Sequence, residues 1–210
     1  MTYYSAHRQD EFVATILNFK KNGCFVEIGS NDAKQQSNSY FFESELKWRG
    51  ICIDIDPVHI RTYDQRTCRF INKDATQIDY RYLFEEEKLP SRIDYLSIDT
   101  DDASDAIMPI IPFDKCRFSV LTVEHDAYRV GHRIRDIERE VLTTFGYILL
   151  FKDVLVPLGC GMGGDLPFED WWIDPCVFNV EKQLNNEKLY PDDIIEIVKN
   201  KLTTYNPENP

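Results

Sequence analysis

The stretch Cys24-Phe25-Val26-Glu27-Ile28-Gly29-Ser30-Asn31-Asp32 decides the fold of this chain of 210 residues. Its apolar first half is too short for a helix and predicts a strand that is buried on both faces of a sheet. The strand runs directly into Gly29, a residue type that lets the backbone approach a ligand closely. The fingerprint G-x-G-x-x-G is absent, and Asp32 adds negative charge where a pyrophosphate would bind, which argues against NAD. An acidic turn instead suits a positively charged ligand, such as the ammonium and sulfonium of S-adenosylmethionine.

Short apolar runs of the same kind recur along the chain, separated at first by amphipathic stretches of helical period. This alternation predicts an α/β fold with a mainly parallel sheet and helices on both faces. We predict one domain over 1–205, a long loop over the mouth of the sheet at 157–175, and a frayed tail at 206–210. The predicted strands are 24–28, 51–53, 69–71, 95–98, 119–123, 146–151 and 176–180, and the clearest helices are 10–22, 38–48 and 133–145.

The overall composition restricts the possible partners. The net charge of −12 would repel nucleic acid and anionic lipid, so neither is expected as a main partner. No apolar run is long enough to span a membrane, and the N-terminus lacks the apolar segment of a signal peptide. None of the six cysteines forms a C-x-x-C pair, so we expect reduced thiols and a cytoplasmic location.

Acidic residues follow successive predicted strands, at the sheet edge where ligands of open parallel sheets bind. Asp54 ends the second strand and could accept hydrogen bonds from both ribose hydroxyls, with Asp56 as the alternative. Asp74, beside Ala75, follows the third strand and could accept from an adenine amino group. A single acid is weak evidence because most Asp residues are solvated turn formers, but three successive strand ends favour a nucleoside site.

The fourth and fifth predicted strands deliver further acids and one imidazole to the same edge. Asp99 follows the fourth strand, and Glu124 and His125 follow the fifth. Converging carboxylates repel each other unless a cation lies between them, and this set suits Mg²⁺ or Mn²⁺ better than zinc. His125 and Asp102 are the candidate bases. The alternative is that Asp101, Asp102, Ser104 and Asp105 only cap a helix that begins near residue 103.

The ordered blocks of this sequence resemble the FkbM-type S-adenosylmethionine-dependent methyltransferases. The resemblance covers roughly residues 5–175 and rests on a series of blocks rather than on one acid or glycine. The matching blocks are 5–10, 22–32, 37–39, Glu43, 48–54, 93–100, 122–125, 146–147 and 168–172.

The resemblance implies a class I methyltransferase (Rossmann-like) fold, a three-layer sandwich whose seven-stranded sheet has an antiparallel last strand. It also implies methyl transfer to oxygen, commonly on sugars or natural-product hydroxyls. The residues expected to contact the cofactor are Glu27, Gly29, Ser30, Asn31, Asp54, Asp74, Ala75 and Asp99.

Two positions depart from the family pattern. Ala33 stands where a glycine is usual, and Asp101-Asp102 replaces an acid–glycine pair after the fourth strand. Related sugar methyltransferases hold a divalent ion at the corresponding strand ends. By that similarity Asp99, Glu124 and His125 would be metal ligands and Asp102 a base.

The favoured hypothesis is an O-methyltransferase for a sugar or glycan, working with or attached to glycosyltransferases. Trp171 and Trp172, in the predicted loop, could stack on the apolar face of a sugar ring. The alternatives are a methyltransferase for a non-sugar natural product, a non-catalytic cofactor-binding module of a larger glycan-synthesis assembly, and a nucleotide-sugar or NAD enzyme.

Overall fold

The computed structural model describes residues 1–156, 165–179, 188–200 and 204–205. Seven strands form one sheet in the order β3-β2-β1-β4-β5-β7-β6. The five neighbouring strands β3, β2, β1, β4 and β5 are parallel, and β7 is antiparallel to both of its neighbours, β5 and β6. The strands are β1 (Cys24–Ile28), β2 (Arg49–Asp54), β3 (Arg69–Asn72), β4 (Arg92–Ile98), β5 (Arg117–Glu124), β6 (Ile148–Val156) and β7 (Leu166–Ile173).

Helices cover both faces of the sheet. They are α1 (Gln9–Ile16), α2 (Tyr40–Leu46), α3 (Tyr80–Glu86), α4 (Ser104–Ile107), α5 (Ala127–Val130), α6 (Arg133–Thr144) and α7 (Pro191–Asn200), with 3-10 turns at Pro57–Gln65, Ala75–Gln77 and Met108–Ile110. A separate antiparallel pair joins β8 (Phe178–Asn179) to β9 (Thr204–Tyr205). None of the helices in the described part of the chain combines the length and apolarity that a membrane span needs.

The alternation of side chains along the strands creates two apolar cores. Phe25 and Tyr95 pack with α1, α2 and α7 on one face, and Val26 and Leu96 pack with α3, α4 and α6 on the other. Every residue of β1 is buried, as expected for a central parallel strand. The predicted three-layer, mainly parallel architecture is therefore confirmed.

The predicted loop and the predicted seventh strand were both wrong where the structure describes them. Strand β7 occupies part of the stretch expected to be a loop, and 176–180 contributes only the two residues of β8 to a separate pair. The acids of β7 make this strand resemble a polar loop in the sequence, but both have tertiary hydrogen-bond partners. Arg139 of α6, for example, bonds Asp170 at 2.6 and 2.9 Å. The glycine-rich part, 157–164, and the predicted tail, 206–210, lie outside the described residues.

Trp171 and Trp172 belong to this strand and not to a loop, which corrects their predicted role. Their exposed fractions are 0% and 1%. Trp171 stacks on Phe12 with ring centroids 4.3 Å apart, and the Trp172 Nε1–H donates to Glu138 at 2.5 Å. The two rings fill the two cores and offer no face to a substrate.

None of the cysteines in the described part of the chain forms a disulfide bond. Cys24, Cys52 and Cys116 are buried, and Cys176 is exposed.

Candidate functional site

A cleft of about 550 Å³ lies along the carboxyl edge of the parallel strands. The turns after β1, β2, β3 and β4 and the last residue of β5 contribute to it, and an N-terminal segment and the start of β7 complete it. Its lining residues are Ala6, His7, Gly29, Asn31, Gln36, Ile53, Asp54, Ile55, Asp56, His59, Asp74, Ala75, Asp99, Thr100, Asp101, Ala103, Ile107, Glu124 and Phe168.

The turns after β1 and β4 are in main-chain contact at the centre of the cleft. Gly29 has φ of +79°, and a Cβ built on it would lie 1.6 Å from the backbone oxygen of Asp99. The Gly29 N–H donates to Ile53 at 2.9 Å, and the Asp99 N–H donates to Ile28 at 2.9 Å. Only glycine fits this approach, so the floor of the cleft is backbone rather than side chain.

Asp54 joins the turns after β1 and β2. Its carboxylate accepts from the Asn31 N–H at 2.7 Å and from the Asp56 N–H at 2.8 Å. The Asp56 side chain instead accepts from the Val58 N–H at 2.9 Å and caps the following 3-10 turn. Of these two acids, Asp54 is therefore the one fixed over the cleft from two sides.

Asp74 holds the turn after β3. Its carboxylate accepts from the Thr76 N–H at 2.9 Å and from the Thr76 hydroxyl at 2.7 Å. These hydrogen bonds lower the pKa of Asp74, so it is ionised at neutral pH.

Asp99 and Glu124 form a carboxyl pair between the ends of β4 and β5. Burial is the main cause that raises both pKa values, and the pKa of Glu124 reaches about 11 because Asp99 is also close. The protonated Glu124 carboxyl donates to the Asp99 carboxylate. Glu124 therefore holds a proton at neutral pH.

Glu169 lies beside this pair across the antiparallel register of β5 and β7, opposite Glu124. It is 1% exposed, and its Oε2 accepts from Trp171 Nε1 at 2.9 Å and from Gln9 Nε2 at 3.1 Å. Burial raises its pKa to about 8. Glu169, like Glu124, thus holds a proton at neutral pH.

The cleft has one sign of charge. Six carboxyl groups line it, and no lysine or arginine of the described residues does. Of the six, the Glu124 group is protonated, and the others give the lining a negative potential. Such a potential attracts a cationic ligand.

The structure brings six of the eight predicted cofactor residues to this one cleft. The two exceptions, Glu27 and Ser30, are each 1% exposed and lie outside the lining. Glu27 accepts from the Ser39 hydroxyl and from the Asn38 N–H at 2.7 Å, and thereby organises the segment before α2. Those that line the cleft are Gly29, Asn31, Asp54, Asp74, Ala75 and Asp99.

His125, predicted as a ligand or base, does not line the cleft. Its side chain is fully buried, and its Nδ1 accepts from the Ala127 N–H at 3.1 Å. Its Nε2 lies 3.5 Å from Asp170 and 3.8 Å from Asp153, two acids that Arg139 also contacts. The imidazole therefore belongs to a buried polar cluster between β7 and α6.

The three predicted metal ligands do not converge on one point. Asp99 and Glu124 are in contact, but with His125 they form no common donor cluster among the described residues. Glu124 instead has donor atoms within 4.8 Å of those of Asp101 and Asp126.

A guanidinium already forms ion pairs with the acids around that alternative cluster. Arg129 lies 2.8 Å from Asp126, 3.1 Å from Asp102 and 3.3 Å from Asp101. Because these carboxylates have a cation, the donor set gives no support to a resident divalent ion. Asp102, the other predicted base, is exposed, pairs with Arg129 and lies outside the lining.

Sequence reasoning missed the contribution of the N-terminal segment. Ala6 and His7 line the cleft, as does Gln36, whose neighbour across an isolated parallel bridge is Ser5. A histidine before the first helix carries no periodic signal, so only the long-range contact shows its place.

Comparisons with known proteins agree on the fold. No family model matches this chain, and no curated protein matches its sequence. A putative rRNA methylase from Clostridium thermocellum is 9% identical with a TM-score of 0.53, covering 82% of this chain and 97% of its own. An O-methyltransferase from Bacillus cereus in complex with SAH is 16% identical with a TM-score of 0.53, covering 82% and 83%. A putative hemolysin from Lactococcus lactis is 12% identical with a TM-score of 0.53, covering 93% and 98%.

At such low identity these similarities establish the fold alone. The chain has the class I, Rossmann-like fold of S-adenosylmethionine-dependent methyltransferases, with the antiparallel strand β7 inserted between β5 and β6.

Proposed function

We propose that this protein is an S-adenosylmethionine-dependent O-methyltransferase that acts on a hydroxyl of a sugar or glycan. The single observation that carries the proposal is the acidic cleft at the carboxyl edge of the sheet, built around the contact of Gly29 with Asp99. The resemblance of the ordered sequence blocks to the FkbM family supports the same activity.

The donor side of the cleft is the part formed by the first three strands. Asp54 has the position to accept from ribose hydroxyls, and Asp74 the position to accept from an adenine amino group. The main chain at Gly29 leaves room for the rest of the donor, and Asp99 supplies a carboxylate for its ammonium group. When bound, S-adenosylmethionine supplies an electrophilic methyl group on a positively charged sulfur.

The acceptor side lies beyond Asp99, where Thr100, Glu124 and Phe168 line the cleft. The carbonyl oxygen of the protonated Glu124 can accept from a hydroxyl of the acceptor, which helps to hold the attacking oxygen in line with the methyl group. Positioning of this kind supplies much of the acceleration in transfer between two bound reactants. Phe168 offers a partly apolar wall, as a sugar ring requires.

Binding and transfer test the proposal separately. Calorimetry with S-adenosylhomocysteine and with NAD is expected to show binding of the first alone. Transfer of tritiated methyl from labelled donor is then measured on a panel of methyl glycosides, with catechol as a non-sugar acceptor. Without S-adenosylhomocysteine binding the proposal fails. Binding of S-adenosylhomocysteine without transfer to any hydroxylated acceptor favours a non-catalytic module. Transfer to catechol alone would show that the acceptor is not a sugar.

The predicted divalent metal is tested in the same assay. With Arg129 placed among the acids, we expect dialysis against EDTA to leave the transfer rate unchanged. A transfer rate that falls on dialysis and recovers when Mg²⁺ or Mn²⁺ is added would show that the reaction needs a divalent metal.

A further inference from the structure

The N-terminal segment is held rigidly over the acceptor side of the cleft. The carboxylate of Asp10, which is fully buried, accepts from the Tyr4 N–H at 2.6 Å and from the Ser5 hydroxyl at 2.5 Å. Ser5 also forms the isolated bridge to Gln36. His7 follows two residues later and lines the cleft, so its position is set by a buried anchor rather than by a free terminus.

The contacts of His7 place it at the end of the cleft where the acceptor would bind. Its ring makes an edge contact with Phe168, with centroids 4.7 Å apart. The Phe168 carbonyl accepts from the His125 and Asp126 N–H groups at 2.8 and 3.0 Å, which joins this wall to the end of β5. The His7 N–H donates to Gln9 Oε1 at 3.0 Å, and Gln9 in turn bonds Glu169.

The surroundings of His7 favour its neutral form. Burial is the larger effect and lowers its pKa below the ordinary 6.5, and the charge of Asp126 opposes this only in part. Of the other carboxyl groups on β5 and β7, Asp170 is ion-paired with Arg139, and Glu124 and Glu169 have pKa values raised to about 11 and about 8. Both hold a proton at neutral pH and so do not stabilise an imidazolium. A neutral imidazole can accept a proton.

We propose that His7 is the general base that takes the proton from the acceptor hydroxyl; this inference rests on the proposed function. As the hydroxyl oxygen forms its bond to the methyl carbon, the carbon–sulfur bond breaks and its electron pair returns to sulfur. The sulfonium becomes a neutral thioether, and the hydroxyl proton passes to the imidazole and then to solvent.

The other titratable groups are less suited to this role. His125 and Asp102 lie outside the lining, and Glu124 already carries a proton. Asp101 is exposed and paired with Arg129. His59 lies after β2, on the donor side of the cleft. His7 is thus the neutral base of the acceptor side.

The test compares His7→Gln and His7→Ala with wild type and with His132→Gln, an exposed histidine before α6 that lies outside the cleft. We expect His7→Gln to bind S-adenosylhomocysteine within about twofold of wild type but to transfer methyl about 10²–10⁴-fold more slowly. Its rate should lose the acidic limb of the wild-type pH profile, and imidazole should partly rescue His7→Ala. His132→Gln should match wild type in every assay.

A second measurement does not depend on finding an acceptor. An NMR titration of the histidine ring protons, assigned with the His7→Gln spectrum, should give His7 a pKa below 6.5. A His7 that remains protonated at neutral pH overturns the inference, as does a His7→Gln variant with the wild-type rate and pH profile. If wild type binds no S-adenosylhomocysteine, the proposed function itself fails and the role of His7 fails with it.

Discussion

Gly29 and Asp99 meet main chain to main chain, although 70 positions separate them in the sequence (99 − 29 = 70). A Cβ at Gly29 would lie 1.6 Å from the Asp99 backbone oxygen, far inside van der Waals contact. The two turns after the central strands β1 and β4 therefore form one surface. This contact sets the position of the Asp99 carboxylate relative to the turn that would face the donor.

Gly29→Ala is expected to disrupt this surface. The left-handed conformation alone costs an alanine about 1–2 kcal/mol, and the clash with backbone adds about 2 kcal/mol or more. Gly146→Ala is the matched control, because Gly146 has φ of +76° and a Cβ built on it would meet nothing within 4 Å. Urea unfolding should show a clearly larger loss of stability for Gly29→Ala. Equal losses would mean that the turns can separate at little cost.

Asp54→Asn is expected to weaken the binding of S-adenosylhomocysteine about 10–100-fold. A hydrogen bond to a charged group contributes roughly 1.5–3 kcal/mol, and about 1.4 kcal/mol corresponds to tenfold. The asparagine oxygen can still accept from one of the two N–H groups, that of Asn31 or that of Asp56, so one of the two hydrogen bonds that hold the turn remains. Asp56→Asn is the control, since asparagine caps the 3-10 turn equally well and its Kd should change by less than about twofold. Calorimetry measures the Kd of both variants for S-adenosylhomocysteine. A larger loss of affinity for Asp56→Asn than for Asp54→Asn would mean that Asp56 binds the ribose.

Glu124→Gln is expected to stabilise the protein at alkaline pH. The pKa of Glu124 is raised from 4.5 to about 11 in the folded state. As pH rises above 4.5, the unfolded chain releases this proton while the folded chain retains it, so the free energy of unfolding falls. Glutamine removes this loss, and the gain should be about 1–3 kcal/mol at pH 8 and near zero at pH 4.5.

The control for that experiment is Glu140→Gln, on the exposed side of α6, with an expected change within about 0.5 kcal/mol. Guanidinium unfolding at several pH values provides the measurement. A gain for Glu124→Gln that does not depend on pH would show that Glu124 is ionised in the folded protein.

Trp171→Phe is expected to lower stability by about 2 kcal/mol without changing the KM for a sugar acceptor. The substitution leaves a cavity beside Phe12 and removes the hydrogen bond to Glu169. Trp48→Phe is the control with a similar loss of stability, because Trp48 stacks on Phe42 and its Nε1–H donates to the Lys20 carbonyl, away from the cleft. A KM change in Trp171→Phe alone would mean that the ring senses the acceptor.

Local patterns predicted most of the sheet. Strands β1 to β6 coincide in place with the apolar runs, most clearly in the centre of the sheet, where a strand buried on both faces must be apolar along its length. Strand β7 escaped prediction because Glu169 and Asp170 make it look like a polar loop. Their partners, Gln9 and Arg139, are distant in the sequence, so nothing local indicates that the two buried side chains have hydrogen-bond partners.

The residues of the candidate site likewise divide into those that the sequence could place and those that it could not. Asp54, Asp74 and Asp99 could be placed together from the sequence, because parallel strands end at one edge of the sheet and an acid that follows such a strand must lie there. The direction in which a side chain turns from that edge is not a local property. His125 turns into the core toward Asp170, and His7 reaches the cleft because a buried Asp10 anchors the segment before it. Sequence alone thus determined the edge and its acids, whereas long-range packing decided which imidazole faces the cleft.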